Sequence, residues 1–172
     1  MENKLIKPVI KVYTTKYKEI NLPEQMSTEL SELVGIHFGD GGIHVQKRKT
    51  YNVTYCFNIK EKDLIEDLKF LFKKLFDIEI KQYNRNNAAE FYCCSKMLAY
   101  FLNQNFGAPL GKKDSLKIPP ILKEDKEYLC AFIRGMYRTD GCLFVKNDGK
   151  YRYPVIKITT KCKEFAEELT HS

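Results

Sequence analysis

Residues 33–41 read LVGIHFGDG, and residues 133–141 read IRGMYRTDG, a second copy of the same pattern 100 residues further along the chain. Each copy closes on Asp-Gly, first at Asp40 and then at Asp140. Glycine is common just past a helix end because it adopts a left-handed backbone conformation without steric cost. The repeat therefore predicts two similar helices, each of which ends at its aspartate.

Small residues stand four apart in each copy, Gly35 with Gly39 and Gly135 with Thr139. Residues at this spacing lie on one face of a helix. A strip without bulk allows two helix backbones to approach closely. We expect the two helices to pack against each other along these strips.

The two aspartates stand where a carboxylate is electrostatically unfavourable. The C-terminal end of a helix carries partial negative charge, and two carboxylates that meet there also repel each other. A divalent cation between them would relieve both effects. Asp40 and Asp140 are therefore a predicted metal site, and the competing interpretation is that each aspartate only ends its helix.

Charge favours a polyanionic partner. The chain of 172 residues has 29 lysines and arginines against 22 acids, a net charge of +7, which suits nucleic acid. A lysine-rich protein without such a partner would carry the same charge, so charge alone leaves both interpretations open. No acidic residue lies between Ile43 and Lys60, so positive charge is concentrated on this segment.

Cysteine usage and hydropathy suggest the compartment. The six cysteines form no CxxC pair and no signal peptide is present, which predicts reduced, mostly buried thiols. No apolar run approaches membrane-spanning length. We expect a cytoplasmic protein with no membrane partner.

Apolar periodicity predicts an α+β fold. Residues 51–60 alternate apolar and polar, the period of a half-buried strand, and residues 41–49 are the expected partner strand. Residues 61–76 change to the helical period. The remaining predicted elements are a hairpin with strands at 78–83 and 89–94, a helix after Ser95, and a second hairpin with strands at 142–146 and 153–161.

These two motifs resemble those of the LAGLIDADG homing endonucleases, in the single-chain form that carries two motifs. Residues 111–122, GKKDSLKIPPIL, are also similar to the inter-repeat segment of that family. The resemblance covers roughly residues 27 to the end. It implies an αββαββα fold in each repeat, with mixed or antiparallel sheets forming a saddle and the motif helices at the interface.

The expected organisation has four parts. A basic lead-in spans residues 1–26, the first repeat spans 27–107, a solvated linker spans 108–122, and the second repeat spans 123–172. From Asp40 the first repeat uses 66 residues to reach Phe106, whereas 32 residues follow Asp140. The second repeat is therefore predicted to be truncated, without its last hairpin and helix, and a monomer is expected if that repeat is complete.

The resemblance also implies a reaction, the hydrolysis of a phosphodiester in each strand of duplex DNA. The cofactor would be Mg²⁺ or Mn²⁺, held by Asp40 and Asp140 with the adjacent Gly39 and Thr139. Related enzymes carry a lysine at the end of the second strand of each repeat. The matching residues here are Lys60 and Lys161.

The predicted strands mix cations, which suit phosphates, with amides and hydroxyls, which suit base edges. Together with the motifs this predicts contact with a long asymmetric DNA site, and an ordinary solvated sheet face is the alternative. The predicted DNA-binding residues are His44, Gln46, Arg48, Asn52, Thr54, Asn58, Lys81, Arg85, Lys146, Lys157 and Thr159.

Two functions remain open on this evidence. The first is a metal-dependent DNA endonuclease. The second is a non-cleaving binder with the same fold, such as an RNA splicing maturase that binds intron RNA, or a DNA-binding regulator. Arg138 is unusual for its motif position, where it could contact DNA, pair with an acid or indicate decay of the motif.

Overall fold

The computed structural model describes residues 20–46 and 50–171. Residues 1–19 of the predicted lead-in and the predicted DNA-binding residue Arg48 lie outside the described residues. Helices and antiparallel hairpins alternate, so the predicted α+β class is confirmed. The elements are α1 (Thr28–Asp40), β1 (Gly41–Val45), β2 (Tyr51–Asn58), α2 (Lys62–Phe76), β3 (Lys81–Arg85), β4 (Ala88–Cys94), α3 (Lys96–Phe106), α4 (Pro120–Lys123), α5 (Lys126–Asp140), β5 (Gly141–Asp148), β6 (Tyr151–Ile158) and α6 (Lys163–Thr170).

Helices α1 and α5 pack lengthwise against each other through their small residues. A Cβ atom placed on Gly35 would lie 2.1 Å from the carbonyl oxygen of Phe132, and one on Gly135 would lie 2.2 Å from that of Glu32. Both distances are far inside van der Waals contact, so a side chain at either position would push the helices apart. Helix α1 begins at the cap Ser27, whose side chain accepts a hydrogen bond from the backbone N–H of Leu30 at 3.1 Å.

The first sheet has four antiparallel strands in the order β1-β2-β4-β3. The alternation expected for residues 51–60 is present in β2, where Tyr51, Val53, Tyr55 and Phe57 are buried. Their ring and aliphatic surfaces pack on the helices. The Tyr55 ring meets that of Phe72 of α2 edge to face, with 5.6 Å between the centroids.

The second sheet consists of β5 and β6 and is largely exposed to solvent. Ile43 and Val53, which pair across β1 and β2, are both buried. Leu143 and Ile156, which pair across β5 and β6, are 63% and 72% exposed. The two sheets therefore differ in how far the rest of the chain covers them.

Residues 108–122 are not the solvated connector that their composition predicted. Leu116 and Ile118 are buried in the core. The backbone N–H of Ile118 donates a hydrogen bond to the carboxylate of Glu168 in α6 at 2.7 Å. The apolar side chains between the prolines and glycines anchor this segment, and the sequence interpretation had given them too little weight.

Two strand positions were also predicted inaccurately. The strand expected at residues 78–83 lies at Lys81–Arg85, and the one expected at 153–161 lies at Tyr151–Ile158. In both cases the hairpin turn is tighter than predicted, because only two residues separate the paired strand ends.

The expectation that the cysteines are mostly buried is wrong. Cys93 and Cys162 are buried, whereas the other four are exposed. Cys56 alternates with buried residues on β2, and the pleat therefore turns it to solvent. Cys142 lies on β5, which is exposed along nearly its whole length. All six are free thiols.

Across the described part of the chain, every helix is too short or too polar to span a membrane.

The close approach of the two helices can be tested by Gly35→Ala. Although alanine is the better helix former, the added methyl group must separate α1 from α5, and we expect a net loss of about 2 kcal/mol or more in the free energy of unfolding. Urea denaturation measures this loss. Gly42→Ala is the matched control, since a Cβ there would meet its nearest atom at 3.4 Å. Equal stability of Gly35→Ala and the wild type would contradict the proposed packing.

Candidate active site

Each aspartate is the last residue of its helix, and the chain passes directly into a strand. The sequence predicted a left-handed backbone at the glycines that follow. That prediction is wrong, because φ is −85° at Gly41 and −91° at Gly141. Their role is steric instead. A Cβ on Gly41 would lie 2.4 Å from Nδ1 of His37, and one on Gly141 would lie 2.2 Å from the carbonyl oxygen of Tyr137.

The carboxylates of Asp40 and Asp140 meet where α1 and α5 end. A Cβ on Gly39 would lie 3.1 Å from Oδ2 of Asp140, so this carboxylate rests against the last turn of the other helix. Burial, followed by the charges of Asp140 and Glu61, raises the pKa of Asp40 to about 6. Burial also raises the pKa of Asp140. A cation bound beside the two carboxylates would stabilise their charged forms.

Lys113 supplies a positive charge at this place. Its Nζ donates hydrogen bonds to the carbonyl oxygens of His37 at 3.0 Å, Phe38 at 2.9 Å and Gly39 at 2.5 Å, the last carbonyls of α1. Burial lowers the pKa of Lys113 to about 8, and the two aspartates oppose that shift. The ammonium therefore compensates both the helix dipole and the paired carboxylates.

Sequence interpretation did not identify Lys113. It stands in the segment expected to be a solvated linker, beside Lys112, and the two lysines are equivalent by composition. Burial of Leu116 and Ile118 draws this segment against the helices, while Lys112 is exposed. The available signal was the apolar spacing of the linker, which indicates a packed segment.

His37 lies in α1 three residues before Asp40. It is fully buried, and its Nδ1 shares a hydrogen bond of 3.2 Å with the hydroxyl of Tyr55. Its Nε2 has no hydrogen-bond partner among the described residues. Burial, with a smaller contribution from the charge of Lys113, lowers the pKa of His37 to about 3. The imidazole is therefore neutral.

Arg138 pairs with acids, one of the three alternatives left open for it. One guanidinium nitrogen donates to Glu32 of α1 at 3.0 Å, and the other donates to Asp67 of α2. Arg134 also binds Glu32, at 2.7 Å. Three helices are thus tied together within a few residues of the aspartates.

The register of the first sheet places the predicted DNA-binding residues on one surface. His44 lies opposite Asn52, and the row of Thr54 continues across β4 to Lys81. These positions alternate with the buried ones, so they lie on the outward face. Described members of the predicted set on this face are His44, Asn52, Thr54, Asn58, Lys81 and Arg85, with Gln46 exposed just after β1.

The second sheet presents the corresponding face. Lys157 lies opposite Cys142, and Lys146 opposite Tyr153, so both lysines are on the same side of the hairpin. Thr159 follows β6, and its backbone N–H donates to the carbonyl oxygen of Asp140 at 3.1 Å. Thr159 is thereby fixed at the junction of α5 and the sheet.

Four other predicted site residues have definite positions. Lys60 and Lys161 were predicted to end the second strand of each repeat. They lie instead in the exposed turns that follow β2 and β6. The Gly39 carbonyl accepts the hydrogen bond from Lys113. The hydroxyl of Thr139 bonds within its own helix, to the carbonyl of Met136 at 3.0 Å. Roles in catalysis or metal binding stay predictions for all four.

The donor set fits a hard divalent cation that is shared with a substrate. Among the described residues no group of three or more His, Cys, Asp or Glu side chains converges. Magnesium in phosphoryl-transfer sites is held by one or two carboxylates and completes its shell with water and phosphate oxygens. Asp40 and Asp140, close together and partly desolvated, provide such a pair.

Comparison with known families and proteins gives a consistent result. A family model described as a LAGLIDADG-like domain matches residues 127–171, which contain nearly all of α5 and the elements after it. The chain is 27% identical over 172 residues to the uncharacterized protein MJ1054 of Methanocaldococcus jannaschii, covering 92% of this chain and 18% of that protein. It is 31% identical over 150 residues to a DNA polymerase of the same organism, covering 74% of this chain and 8% of the polymerase. The chain thus spans less than a fifth of the length of these relatives.

Solved structures of I-DmoI are similar in fold. The complex of I-DmoI with DNA and Ca matches with a TM-score of 0.57 at 20% identity, covering 84% of this chain and 69% of that one. A variant of I-DmoI with its target DNA in 2 mM Mg matches with a TM-score of 0.54 at 18% identity, covering 84% and 74%. The predicted LAGLIDADG homing-endonuclease fold is confirmed.

The burial of His37 predicts a specific pH dependence of stability. Its pKa is about 3 in the folded chain against 6.5 ordinarily, so the unfolded chain binds more protons between these values and stability falls as the pH falls. Protonation of His37 in the unfolded chain therefore lowers the free energy of unfolding at pH 5 by about 2 kcal/mol relative to pH 8. Urea denaturation of the wild type and His37→Phe across this range isolates that loss.

Asp40 acts in the opposite sense over part of the same range, because its pKa is raised. The comparison with His37→Phe cancels this shared contribution. His44→Phe, at an exposed histidine, is the matched control and should keep the wild-type profile. If the profile of His37→Phe also parallels that of the wild type, the imidazole is not buried as described.

Proposed function

We propose that this chain is a site-specific double-stranded DNA endonuclease that hydrolyses phosphodiesters with a divalent metal, because the LAGLIDADG-like domain model matches residues 127–171 and the fold resembles that of I-DmoI. The observation that carries this proposal is the meeting of two acidic helix ends beside the outward faces of two sheets. Two partly desolvated carboxylates at negative helix ends suit a divalent cation shared between them. The proposed organisation is two repeats, at residues 27–107 and 123–172, joined by the segment 108–122.

Asp40 and Asp140 are the residues that would hold the cation, which we propose is Mg²⁺ or Mn²⁺. When bound, such an ion polarises phosphate oxygens, activates water and neutralises the leaving oxygen. The I-DmoI complexes, which contain DNA with Ca or Mg, support this assignment by similarity of fold. The burial that raises the carboxylate pKa values also strengthens their attraction for a cation.

Lys113 contributes electrostatic stabilisation in this proposal. Three carbonyl oxygens fix its ammonium group, so the charge needs no reorganisation when a phosphate becomes more negative during attack by water. Its pKa of about 8 keeps it mainly protonated at neutral pH. Lys60 and Lys161 are proposed to assist at the scissile phosphates from the exposed turns after β2 and β6.

The outward sheet faces are the proposed DNA-binding surface. Extended strands can enter the major groove of duplex DNA. The mixture on β1 and β2 of a histidine with amides and hydroxyls suits contacts to phosphates and base edges. Two sheets with different side chains would read two different half-sites, and the recognition site would therefore be asymmetric.

A non-cleaving nucleic-acid binder is the second candidate, and Lys113 is the observation that favours it. The ammonium of Lys113 interacts with both carboxylates, so the aspartate pair is partly compensated with no divalent ion bound. Such a protein would bind duplex DNA or structured intron RNA without cutting either. Binding and cleavage assays with both nucleic acids separate the two candidates.

Replacement of the aspartates tests the proposed reaction. We expect Asp40→Asn and Asp140→Asn each to lower the cleavage rate on the order of a thousandfold, because the cation loses a charged ligand, while DNA affinity is retained. Gel assays of a duplex recovered by selection from randomised DNA measure both quantities. Asp63→Asn, at an exposed position of α2, is the control. Wild-type cutting by either aspartate variant would refute the assignment.

Lys113→Met tests the role found for the linker lysine. We expect a loss of about a hundredfold in the cleavage rate at saturating DNA, because the carboxylate pair and the developing phosphate charge lose their fixed counter-charge. Lys112→Met removes the same charge from the neighbouring exposed position and should change salt-dependent affinity only. Similar rates for the two variants would show that Lys113 contributes bulk charge alone.

A further inference from the structure

We propose that the β5–β6 hairpin recognises thymine methyl groups in one half of the DNA site, through an exposed row of aromatic side chains. This inference rests on the proposed function and names the chemical feature that the second sheet reads. The surface concerned, called here the aromatic hairpin face, consists of Phe144, Tyr151, Tyr153, Val155, Lys146 and Lys157.

The strand register brings these residues to one side of the hairpin. Phe144 lies opposite Val155, Lys146 opposite Tyr153, and Tyr151 continues the row at the turn. The three aromatic residues Phe144, Tyr151 and Tyr153 are 44%, 68% and 47% exposed. Large apolar groups in such a cluster are uncommon on a free surface and indicate a contact surface.

This face corresponds in position to the proposed DNA-binding face of the first sheet. The strands that follow the two aspartates begin in the same way, so Phe144 takes the position in β5 that His44 takes in β1. Both residues stand four positions after the helix end that carries the carboxylate. The two faces therefore flank the same pair of carboxylates.

The chemistry of the two faces differs. Around His44 the first sheet presents Asn52 and Thr54, which can exchange hydrogen bonds with base edges. The aromatic hairpin face also carries tyrosine hydroxyls and lysine ammonium groups, and the first sheet also exposes Tyr83 and Tyr92. The hairpin differs in placing an apolar side chain, Phe144, at the position that His44 takes in the first sheet. In the major groove, the apolar feature that distinguishes one base is the methyl group of thymine, which side chains such as phenylalanine contact.

The cations on the aromatic hairpin face fit the same partner. Lys146 and Lys157 lie beside the aromatic side chains, and Asp148 is the acidic residue at the turn end. Lysines at this spacing can bind phosphates on either side of a groove while the apolar groups lie against the bases. This combination favours duplex DNA over an uncharged protein surface.

Exposed tyrosines can also stack on unpaired bases, as in proteins that bind single strands. The rings of Tyr151 and Tyr153 lie 6.2 Å apart at an angle of 31°, and the two residues are 68% and 47% exposed. Binding of unpaired nucleic acid is accordingly the alternative that the experiment must exclude.

Uracil substitution provides the test, because deoxyuridine pairs like thymidine but lacks the methyl group. The probe is a duplex recovered by selection from randomised DNA with the wild-type chain. Each thymine is replaced in turn, and affinity is measured by fluorescence anisotropy in EDTA. We expect a loss of about fourfold for each contacted methyl, confined to one half-site.

The same scan with Phe144→Ser and Tyr153→Ser should show no sensitivity in that half-site. Leu143→Ser is the matched control, since it removes an exposed apolar group from the opposite face of the same strand. It should keep the wild-type sensitivity to uracil. Thermal melting checks that the variants, all at exposed positions, remain folded.

The outcomes separate this inference from the proposed function. A recovered duplex that is cut but is insensitive to uracil in both halves overturns the thymine assignment and leaves the endonuclease intact. Tighter binding of single-stranded DNA or RNA than of the duplex, lost in Tyr153→Ser, overturns it in favour of base stacking. If selection yields no duplex that is bound or cut, the proposed function fails and this inference fails with it.

Discussion

The close packing of α1 on α5 is the constraint on which the rest of the structure depends. Gly35 and Gly135 leave no room for a side chain, and the carbonyl oxygens of Phe132 and Glu32 lie where their Cβ atoms would be. Two helices at this separation must end side by side if their motifs are in register. Their terminal residues, Asp40 and Asp140, are then brought together whether or not their charges favour it.

The electrostatic consequence of that packing explains the position of the linker. Two partly buried carboxylates at negative helix ends need a positive charge, and the ammonium of Lys113 bonds three carbonyl oxygens in the last turn of α1. Because Leu116 and Ile118 are fixed in the core, the chain between the halves cannot move away. Burial of apolar linker residues thus sets the charge balance of the site, and a divalent ion would share the site with this ammonium.

Local sequence patterns predicted the elements well, whereas features set by tertiary contact were predicted poorly. The period of two in β2 and the small-residue strips depend on short-range spacing, which a sequence displays directly. The distinction between Lys112 and Lys113 depends on how a distant segment packs, and composition contains no trace of it. Gly41 was interpreted through its usual conformation, but contact with His37 is what excludes a side chain there. The predicted burial of cysteines failed for a related reason, since the pleat decides the exposure of Cys56 and the lack of a covering layer decides that of Cys142.

The two halves share the helix pair but differ in their sheets, and this difference bears on recognition. In the first half the inward face of the sheet is buried, and the outward face carries polar groups together with the exposed Tyr83 and Tyr92. In the second half the hairpin is exposed on both sides, with aliphatic residues on one and aromatic residues on the other. In the proposed complex a duplex held over the carboxylates would meet both outward faces, because both sheets start at the same paired helix ends. The proposed asymmetric recognition site would then follow from joining unlike sheets to a nearly symmetric pair of helices.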